Sequence, residues 1–331
     1  MTPPLNISVL GAGAWGTALA IAFARQHRVR LWAREADVMA GMIAERENRR
    51  FLPDYALPPE LALEADFEKA VTGTDVNLLA TSVAGLRPTL TRLRQLAPAT
   101  PVVWICKGLE AESGKLPHQV VAEELGADFP CAALTGPSFA EEVARGLPAA
   151  VTLASHDLAF SRPLALALNA QRLRIYASDD LVGAEVAGAV KNVMAIAAGI
   201  CDGLGFGLNA RAALITRGLA EITRLGVALG GRSETFMGLA GMGDLLLTCT
   251  GDLSRNRRVG LALAAGKNLE QVLADLGHIA EGVNTAREVA TLADRMGIEM
   301  PITQAVAGIL FSGVPAGEAV AQLLSRDPKV E

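Results

Sequence analysis

A lysine in the second half of the chain stands where a proton donor could act. Lys191 lies in a run of small and apolar residues whose spacing predicts a helix, with Ala187 and Gly188 one turn away. Only six of the 30 basic residues are lysines, so arginine is the usual cation of this chain. Arginine cannot release a proton near neutral pH, which favours a chemical role for Lys191. On the helix alone, the alternative is a stem lying on apolar surface with its ammonium in water.

A cluster of polar residues further along could hold a compact anion. Residues 254–258, Ser-Arg-Asn-Arg-Arg, combine three guanidinium groups with a hydroxyl and an amide at the start of a predicted helix. Guanidinium groups donate paired hydrogen bonds to phosphate oxygens, and a helix N-terminus also favours negative charge. The cluster therefore suits a phosphate monoester, and a solvated basic turn is the alternative.

Two acidic residues accompany these cations. Asp244 ends the glycine-dense segment 238–244, where we expect a close backbone approach or a bent connection. Its carboxylate could orient a lysine or a substrate hydroxyl, or cap the following turn. Glu281 precedes another predicted helix, and its local context favours a structural role.

The N-terminal region carries a nucleotide-binding pattern. Residues 11–16, Gly-Ala-Gly-Ala-Trp-Gly, follow a β-rich run at 5–10 and open a helical run. In such a motif, Gly11 allows a tight turn, Gly13 lets the backbone approach a pyrophosphate, and Gly16 lets the helix pack close to the strand. The N–H groups at the helix N-terminus then face the phosphates. A glycine-rich turn without a ligand is the alternative.

The end of the second predicted strand, residues 28–33, bears on the cofactor. An NAD site would place an acid there to hold the ribose hydroxyls, but this chain has Arg34 followed by Glu35. Arg34 could clamp a 2′-phosphate through paired N–H donors. We therefore predict that NADP(H) is favoured and NAD(H) is possible, since Glu35 or a shift of one residue would reverse the preference.

The elements that position these residues change in kind along the chain. Further β-rich runs at 75–82, 101–106, 131–135, 151–154 and 173–177 alternate with crossover segments. Ligands of open α/β sheets bind beyond the carboxyl ends of the strands. The residues that fall at such ends are Gly11, Arg34, Ser82, Lys107 and Gly136. Ser138 follows one of these ends, and it could instead cap a helix that begins near Phe139.

After about residue 178 the strand pattern gives way to helical periodicity. The predicted helices include 209–226, 255–266, 269–276, 285–296 and 303–312, besides the one that carries Lys191. The fold class is thus an α/β N-terminal Rossmann-type domain with a mostly parallel sheet, followed by an all-α C-terminal domain. The predicted domains are 1-180, which binds a dinucleotide, and 181-331, which binds substrate and carries the catalytic lysine.

Composition narrows the class of partner. A net charge of −5 and 4% aromatic residues argue against a nucleic-acid surface. The longest apolar runs are shorter than the ~18 residues of a membrane span, and the N-terminus lacks the pattern of a secretory signal. The four scattered cysteines have no spacing for zinc or a redox pair. We expect a reduced, cytoplasmic environment, with no metal, no nucleic acid and no membrane insertion.

With these motifs in order, the chain resembles the bacterial NAD(P)-dependent glycerol-3-phosphate dehydrogenases nearly from end to end. The matching segments are residues 11–20, 107–110, 136–140, 190–193, 241–245, 248–249, 254–257 and 281–282. Two small departures are Ala14, where a serine is common, and Phe51, where a tyrosine is common. Both touch the cofactor neighbourhood.

The resemblance implies reversible hydride transfer between NAD(P)H and C2 of dihydroxyacetone phosphate, giving sn-glycerol 3-phosphate for phospholipid synthesis. Lys191 matches the catalytic position. The substrate positions are Lys107, Gly136, Ser138, Lys191, Asp244, Ser254, Arg255 and Asn256. The cofactor positions, with the glycines of the motif, are Gly11, Gly13, Ala14, Trp15, Gly16, Arg34, Lys107, Ala140, Arg255, Ile279 and Glu281. For Glu281 the resemblance replaces the local interpretation.

Two alternatives remain at this point. A reductase of small hydroxyacids can share both domain types and a lysine on a helix, but it needs a carboxylate pocket in place of residues 254–258. A regulator that senses NADP(H) without turnover is the other, and the presence of Lys107, Lys191 and Asp244 argues against it. A homodimer is possible because helical second domains often associate.

Overall fold

The computed structural model describes residues 3–170, 172–276 and 280–326. The chain divides into two compact units: Met1–Lys107 with Leu116–Leu181, and Gly108–Lys115 with Val182–Glu331. The predicted domains, 1-180 and 181-331, were each continuous in sequence. The segment Gly108–Lys115 departs from that division because it belongs to the second unit.

The first unit is built on an eight-stranded sheet with the order β10-β9-β8-β7-β6-β1-β2-β5. Every neighbouring pair is parallel except β8 with β9, which is antiparallel. The strands are β1 Asn6–Leu10, β2 Arg28–Trp32, β3 Glu47–Asn48, β4 Leu52–Ala56, β5 Ala62–Glu64, β6 Val76–Leu79, β7 Val102–Trp104, β8 Cys131–Thr135, β9 Ala149–Ala154 and β10 Leu173–Ser178. The predicted mostly parallel sheet is confirmed.

Helices connect these strands. They are α1 Ala14–Ala24, α2 Ala36–Glu45, α3 Phe67–Val71, α4 Val83–Leu96, α5 Pro117–Leu125, α6 Ala140–Arg145 and α7 Leu158–Leu168. Nearly every side chain of α1 is buried, and β1 is buried on both faces, as expected for a strand covered by helices on both sides. This burial holds the β1–α1 turn on a rigid core.

A separate hairpin of β3 and β4 was not predicted. Its two strands pair antiparallel, with Asn48 opposite Leu52. The hairpin has two and five residues in its strands, and its side chains alternate poorly between buried and exposed. Such short strands carry too little periodicity to be recognised in a sequence.

All elements of the described part of the second unit are helical. They are α8 Leu181–Gly203, α9 Gly207–Ala228, α10 Ser233–Phe236, a π-helical turn Leu239–Gly243, α11 Asp244–Thr250, α12 Arg255–Ala264, α13 Leu269–Leu276, α14 Glu281–Met296, α15 Pro301–Phe311 and α16 Ala316–Leu324. The all-α second half is thus confirmed. Among described residues, α8 alone has the length and composition of a membrane span, but 94% of that window is buried inside the protein, as in a core helix.

Helices α8 and α12 approach each other with backbone in contact. A Cβ atom added at Gly199 would lie 2.0 Å from the carbonyl oxygen of Arg257. A Cβ added at Gly260 would lie 2.0 Å from the carbonyl oxygen of Ile196. Neither position has room for a side chain, so the axial register of the two helices depends on this pair of glycines.

A buried carboxylate joins α9 to α15. Glu221 accepts hydrogen bonds from the backbone N–H groups of Ile302, at 2.6 Å, and of Thr303, at 3.2 Å. These N–H groups belong to the first turn of α15, where no helical acceptor exists for them. Burial raises the pKa of Glu221 to about 7, while these hydrogen bonds oppose the shift.

Candidate functional site

The turn between β1 and α1 has the geometry of a dinucleotide-binding loop. Gly11 has φ +124°, and a Cβ there would lie 2.5 Å from the carbonyl oxygen of Ala80. A Cβ at Gly16 would lie 2.2 Å from the carbonyl oxygen of Gly11. In contrast, a Cβ at Gly13 would meet nothing within 4 Å. The loop thus packs tightly at its two ends and leaves open space at the centre, which fits a pyrophosphate.

Arg34 and Glu35 lie just beyond the end of β2. Arg34 Nε and Nη2 donate to Glu35 Oε1 at 3.1 and 2.7 Å. The Arg34 side chain is 80% exposed, so water screens this ion pair. Glu35 therefore holds the guanidinium of Arg34 only weakly. A ligand phosphate could therefore draw Arg34 away from Glu35.

The other predicted residues of the first unit also follow strand ends. Lys107 lies beyond β7, Gly136 beyond β8, and Ala140 is the first residue of α6. Since β1, β2, β6, β7 and β8 run parallel, their carboxyl ends share one edge of the sheet. The structure therefore places Gly11, Arg34, Ser82, Lys107 and Gly136 along one edge.

The expectation that Ser138 could cap α6 is wrong. The N-cap of α6 is Phe139, and Ser138 Oγ donates instead to the carbonyl oxygen of Gly136 at 2.9 Å. Gly136 has φ +139°, and a Cβ there would lie 3.0 Å from Val151 Cα. The serine hydroxyl therefore stabilises the sharp turn that follows β8 through a hydrogen bond within the turn.

In the second unit, Lys191 is buried against polar groups. Only 6% of its surface is exposed, and Nζ donates to Asp244 Oδ1 and, at 2.9 Å, to Thr248 Oγ1. The Thr248 hydroxyl donates in turn to the backbone carbonyl of Asp244 at 2.6 Å. The alternative of a lysine with its ammonium in water is therefore wrong. Of the roles open to Asp244, the contact with a lysine is present in the structure.

The local fold explains how Asp244 reaches this position. The π-helical turn Leu239–Gly243 runs directly into α11, whose first residue is Asp244. A Cβ at Gly241 would lie 2.1 Å from the carbonyl oxygen of Phe236, so the turn needs a residue without a side chain. This is the close backbone approach expected for the glycine-dense segment. Irregular helical turns of this kind are frequent at functional sites.

A second buried network adjoins Lys191 through its neighbour Asn192. Asn256 Nδ2 donates to Asn192 Oδ1 at 2.9 Å, and Asn256 Oδ1 accepts from the N–H of Gly282 at 3.1 Å. These bonds join α8, α12 and α14. Glu281 is the first residue of α14, next to Gly282, so the network holds the start of the helix that carries Glu281.

The predicted anion cluster is only partly available to a ligand. Ser254 caps α12 by accepting from the N–H of Arg257 at 3.2 Å. The Arg257 side chain turns inward, and its Nε and Nη2 donate to Asp202 Oδ2 at 2.9 and 2.7 Å. Arg255, in contrast, is exposed at the first turn of α12. Arg255 is therefore exposed to a ligand, whereas the guanidinium of Arg257 is held in an internal ion pair.

Several residues of these networks were not singled out from the sequence as site residues. Thr248 stands four residues after Asp244 in one helix, so i,i+4 spacing could have indicated a shared face. Asn192 and Asp202 had no comparable local signal. Cys249 is also buried near Lys191, and burial raises the pKa of its thiol to about 12, which leaves it a neutral structural group. Ile279 lies outside the described residues.

A mostly parallel sheet with a glycine-rich loop, followed by a helical unit with a buried lysine, defines a nicotinamide-dependent dehydrogenase or reductase. Comparison with known proteins supports a narrower assignment. The family description "NAD-dependent glycerol-3-phosphate dehydrogenase N-terminus" matches residues 6–161, and "NAD-dependent glycerol-3-phosphate dehydrogenase C-terminus" matches residues 180–321. The chain belongs to this family and is an oxidoreductase.

Relatives and solved structures agree with this assignment. A glycerol-3-phosphate dehydrogenase [NAD(P)+] of Dechloromonas aromatica (strain RCB) is 64% identical over 327 residues, which cover 99% of this chain and 99% of that protein. The crystal structure of glycerol-3-phosphate dehydrogenase from Coxiella burnetii has 46% identity and a TM-score of 0.94, and the match covers 98% of this chain and 99% of that one.

A more distant structure shares only the fold. The ketopantoate reductase of Ralstonia eutropha JMP134 has 18% identity and a TM-score of 0.60, with 96% of this chain and 100% of that chain covered. At this identity the likeness shows a shared architecture and nothing about the substrate.

Proposed function

We propose that this enzyme transfers hydride reversibly between NAD(P)H and C2 of dihydroxyacetone phosphate, with Lys191 as the general acid and base. The product in the reductive direction is sn-glycerol 3-phosphate. The observation that carries the proposal is the burial of the Lys191 ammonium against Asp244 and Thr248. A lysine held in this way has a defined orientation and a proton to deliver.

Lys191 acts on the oxygen of the reacting carbon. As the ketone is reduced, negative charge grows on its oxygen, and Lys191 Nζ stabilises that charge and donates a proton to it. In the oxidative direction the same nitrogen accepts the proton of the alcohol. Catalysis of this type contributes roughly 10²- to 10⁴-fold. Asp244 and Thr248 orient Nζ, and Asp244 also has a predicted contact with the substrate.

The substrate phosphate is assigned to the N-terminal turn of α12. Ser254 and Asn256 stand at this turn, and Arg255 projects there without burial. A fixed phosphate holds the reacting carbon in place, which is a positioning effect. Lys107, Gly136 and Ser138 are further proposed contacts of the substrate, supported by their place beyond strand ends of the first unit.

The nicotinamide cofactor supplies the hydride when it is bound. Its pyrophosphate is assigned to the loop from Gly11 to Gly16, including Ala14 and Trp15, because the centre of this loop is open. NADP(H) is favoured because Arg34 is exposed and weakly held. Lys107, Ala140, Arg255, Ile279 and Glu281 remain predicted cofactor contacts.

The proposal extends to the setting of the enzyme. Its product would supply glycerophospholipid synthesis in the cytoplasm, and the four cysteines are all thiols, which fits a reducing compartment. The enzyme is proposed to work as a homodimer without membrane insertion. Light scattering of the purified chain would measure the mass in solution, and a monomer at assay concentration would contradict the dimer.

One assay tests the activity. Oxidation of NADPH and of NADH is followed with dihydroxyacetone phosphate and, in parallel, with a panel of 2-keto acids. We expect turnover with dihydroxyacetone phosphate and little with the keto acids, because the proposed contacts at Ser254, Arg255 and Asn256 suit a phosphate group. Turnover mainly with a keto acid would favour the hydroxyacid reductase. Tight cofactor binding without turnover of any substrate would favour the sensor.

A further inference from the structure

The hairpin that was not predicted reaches the glycine-rich loop through one side chain. Asn48, on β3, is 1% exposed. Its Nδ2 donates to the carbonyl oxygen of Ala12 at 2.7 Å and to Thr17 Oγ1 at 2.8 Å. Its Oδ1 accepts from the N–H of Phe51 at 3.2 Å. Both amide hydrogens and the amide oxygen of Asn48 are therefore in use.

The bond to Ala12 fixes the direction of a neighbouring donor. The carbonyl of Ala12 and the N–H of Gly13 belong to the same planar peptide group, and in a trans peptide these two bonds point in opposite directions. Because Asn48 holds the carbonyl toward the hairpin, the N–H of Gly13 must point away from it. The space beside Gly13 is also open, as a Cβ there would meet nothing within 4 Å.

The bond to Thr17 ties the same side chain to the far side of the loop. Thr17 lies in the first turn of α1, where its N–H donates to the carbonyl oxygen of Gly13 at 2.9 Å. Asn48 thus spans the loop from Ala12 to Thr17. A shift of the loop relative to α1 would break at least one of these two bonds.

The hairpin has other anchors that do not involve the loop. Leu52, on β4, is buried in the core of the first unit, and Arg46 Nη2, at the base of the hairpin, donates to the carbonyl oxygen of Leu61 at 2.9 Å. Leu52 stands opposite Asn48 in the hairpin, but its side chain packs in the core, so its truncation weakens the hairpin and leaves the donors and acceptors of Asn48 in place. This separation allows a structural role of the hairpin to be distinguished from an action on the loop.

From these contacts we propose that Asn48 is a positioning residue for the dinucleotide. It orients the peptide between Ala12 and Gly13 so that the Gly13 N–H is preset to donate to a pyrophosphate oxygen. The proposal rests on the dinucleotide site of the proposed function. It predicts a defect in cofactor binding that is the same for NADH and NADPH, because both contain the pyrophosphate.

The test compares Asn48→Ala with Leu52→Ala as a matched control of the same hairpin. At saturating dihydroxyacetone phosphate, Asn48→Ala should raise the KM for NADPH and for NADH by the same factor, about tenfold, since buried groups lose their partner. The kcat and the KM for dihydroxyacetone phosphate, measured at saturating cofactor, should stay within about twofold. Leu52→Ala should lower the thermal midpoint and leave the cofactor KM values near wild type.

Asn48→Asp sharpens the test because the two side chains have the same shape. A carboxylate cannot donate to Ala12, and it brings negative charge toward the loop, so the cofactor KM should rise further than in Asn48→Ala. If neither Asn48 variant folds, Thr17→Val removes the second anchor at nearly constant volume and should raise both cofactor KM values by a smaller, equal factor.

Several results would overturn the proposal. Equal KM increases in Asn48→Ala and Leu52→Ala at the same loss of thermal stability would reduce Asn48 to a structural residue. If neither Asn48 variant folds, unchanged KM values for NADH and NADPH in Thr17→Val would lead to the same conclusion. A wild-type enzyme that binds neither NADH nor NADPH would instead overturn the proposed function itself, and direct titration of the cofactor separates that case.

Discussion

The polar sites of the two units consist of different kinds of groups. In the first unit the groups are main-chain atoms and exposed side chains at strand ends, such as the turn at Gly13 and the guanidinium of Arg34. In the second unit they are buried side chains paired across helices, such as Lys191 with Asp244. A backbone site depends on conformation and tolerates many side chains. A site of buried pairs depends on each partner, because an unpaired buried charge is costly.

The largest effect is expected at the centre of the buried site. Lys191→Ala should lower kcat by roughly 10²- to 10⁴-fold, because the oxygen of the reacting carbon loses its proton donor. The KM for NADPH should change little. Steady-state kinetics with dihydroxyacetone phosphate measure both values.

Lys267→Ala is the matched control, since Lys267 is an exposed lysine of the same unit that pairs with Asp275. It should keep wild-type kinetics. Near-normal kcat in Lys191→Ala would remove the chemical role of the buried site and leave Lys191 as a packing residue.

The next effect concerns a buried side chain that takes no part in the chemistry. The pKa of Glu221 is about 7 in the folded protein, against its usual 4.5. Between these values the folded state keeps a proton that the unfolded chain releases, so the free energy of unfolding falls as pH rises through this interval. The loss amounts to about 3 kcal/mol at ~1.4 kcal/mol per pKa unit.

Urea unfolding at pH 5 and at pH 8 tests this for the wild type and for Glu221→Gln. The glutamine keeps one of the two acceptor oxygens that Glu221 offers to α15, and it does not titrate. The difference in stability between the two proteins should therefore shift in favour of the variant as pH rises. A difference that is independent of pH would show that Glu221 titrates near its usual value.

A smaller effect is expected where helix backbones meet. Gly260→Ala places a methyl group against the carbonyl oxygen of Ile196, and the overpacking should cost about 1–3 kcal/mol of stability. It should also raise the KM for dihydroxyacetone phosphate, because α12 carries the proposed phosphate contacts.

Gly317→Ala provides the contrast within the same unit. A Cβ at Gly317, in α16, would meet nothing within 4 Å, so the change should stabilise the protein by about 0.5–1 kcal/mol through helix propensity. Denaturant unfolding compares the two. Equal effects of the two alanines would mean that α8 and α12 are not in tight register.

The smallest effect is expected at the exposed site of the first unit. Arg34→Ala should weaken NADPH about tenfold, equivalent to ~1.4 kcal/mol, and leave NADH nearly unchanged, because only NADPH carries the 2′-phosphate. Ratios of kcat/KM for the two cofactors measure this. An equal loss for both would place Arg34 away from the 2′-phosphate and would withdraw the predicted preference.

Prediction from the sequence succeeded where the signal was local. The strand, glycine turn and helix of residues 5–25 are predicted from one continuous stretch of sequence, and β1 and α1 form there. It was incomplete where a residue acts at a distance. Asn48 stands in a two-residue strand without periodicity, and the two acceptors of its amide N–H groups are 31 and 36 residues away. The role of Ser138 was ambiguous because a serine hydroxyl can either cap a helix or stabilise a turn.

The sequence by itself determined the strand, turn and helix of the dinucleotide motif, the change from a sheet to helices, and the family to which the chain belongs, because periodicity and motifs are properties of neighbouring residues. Tertiary structure alone decided which polar groups meet. Packing pairs Lys191 with Asp244, which is 53 residues away. It also places Arg257 in an ion pair with Asp202 and Asn48 against the glycine-rich loop. The physical reason is that burial makes a polar group depend on a partner, and packing of distant segments chooses that partner.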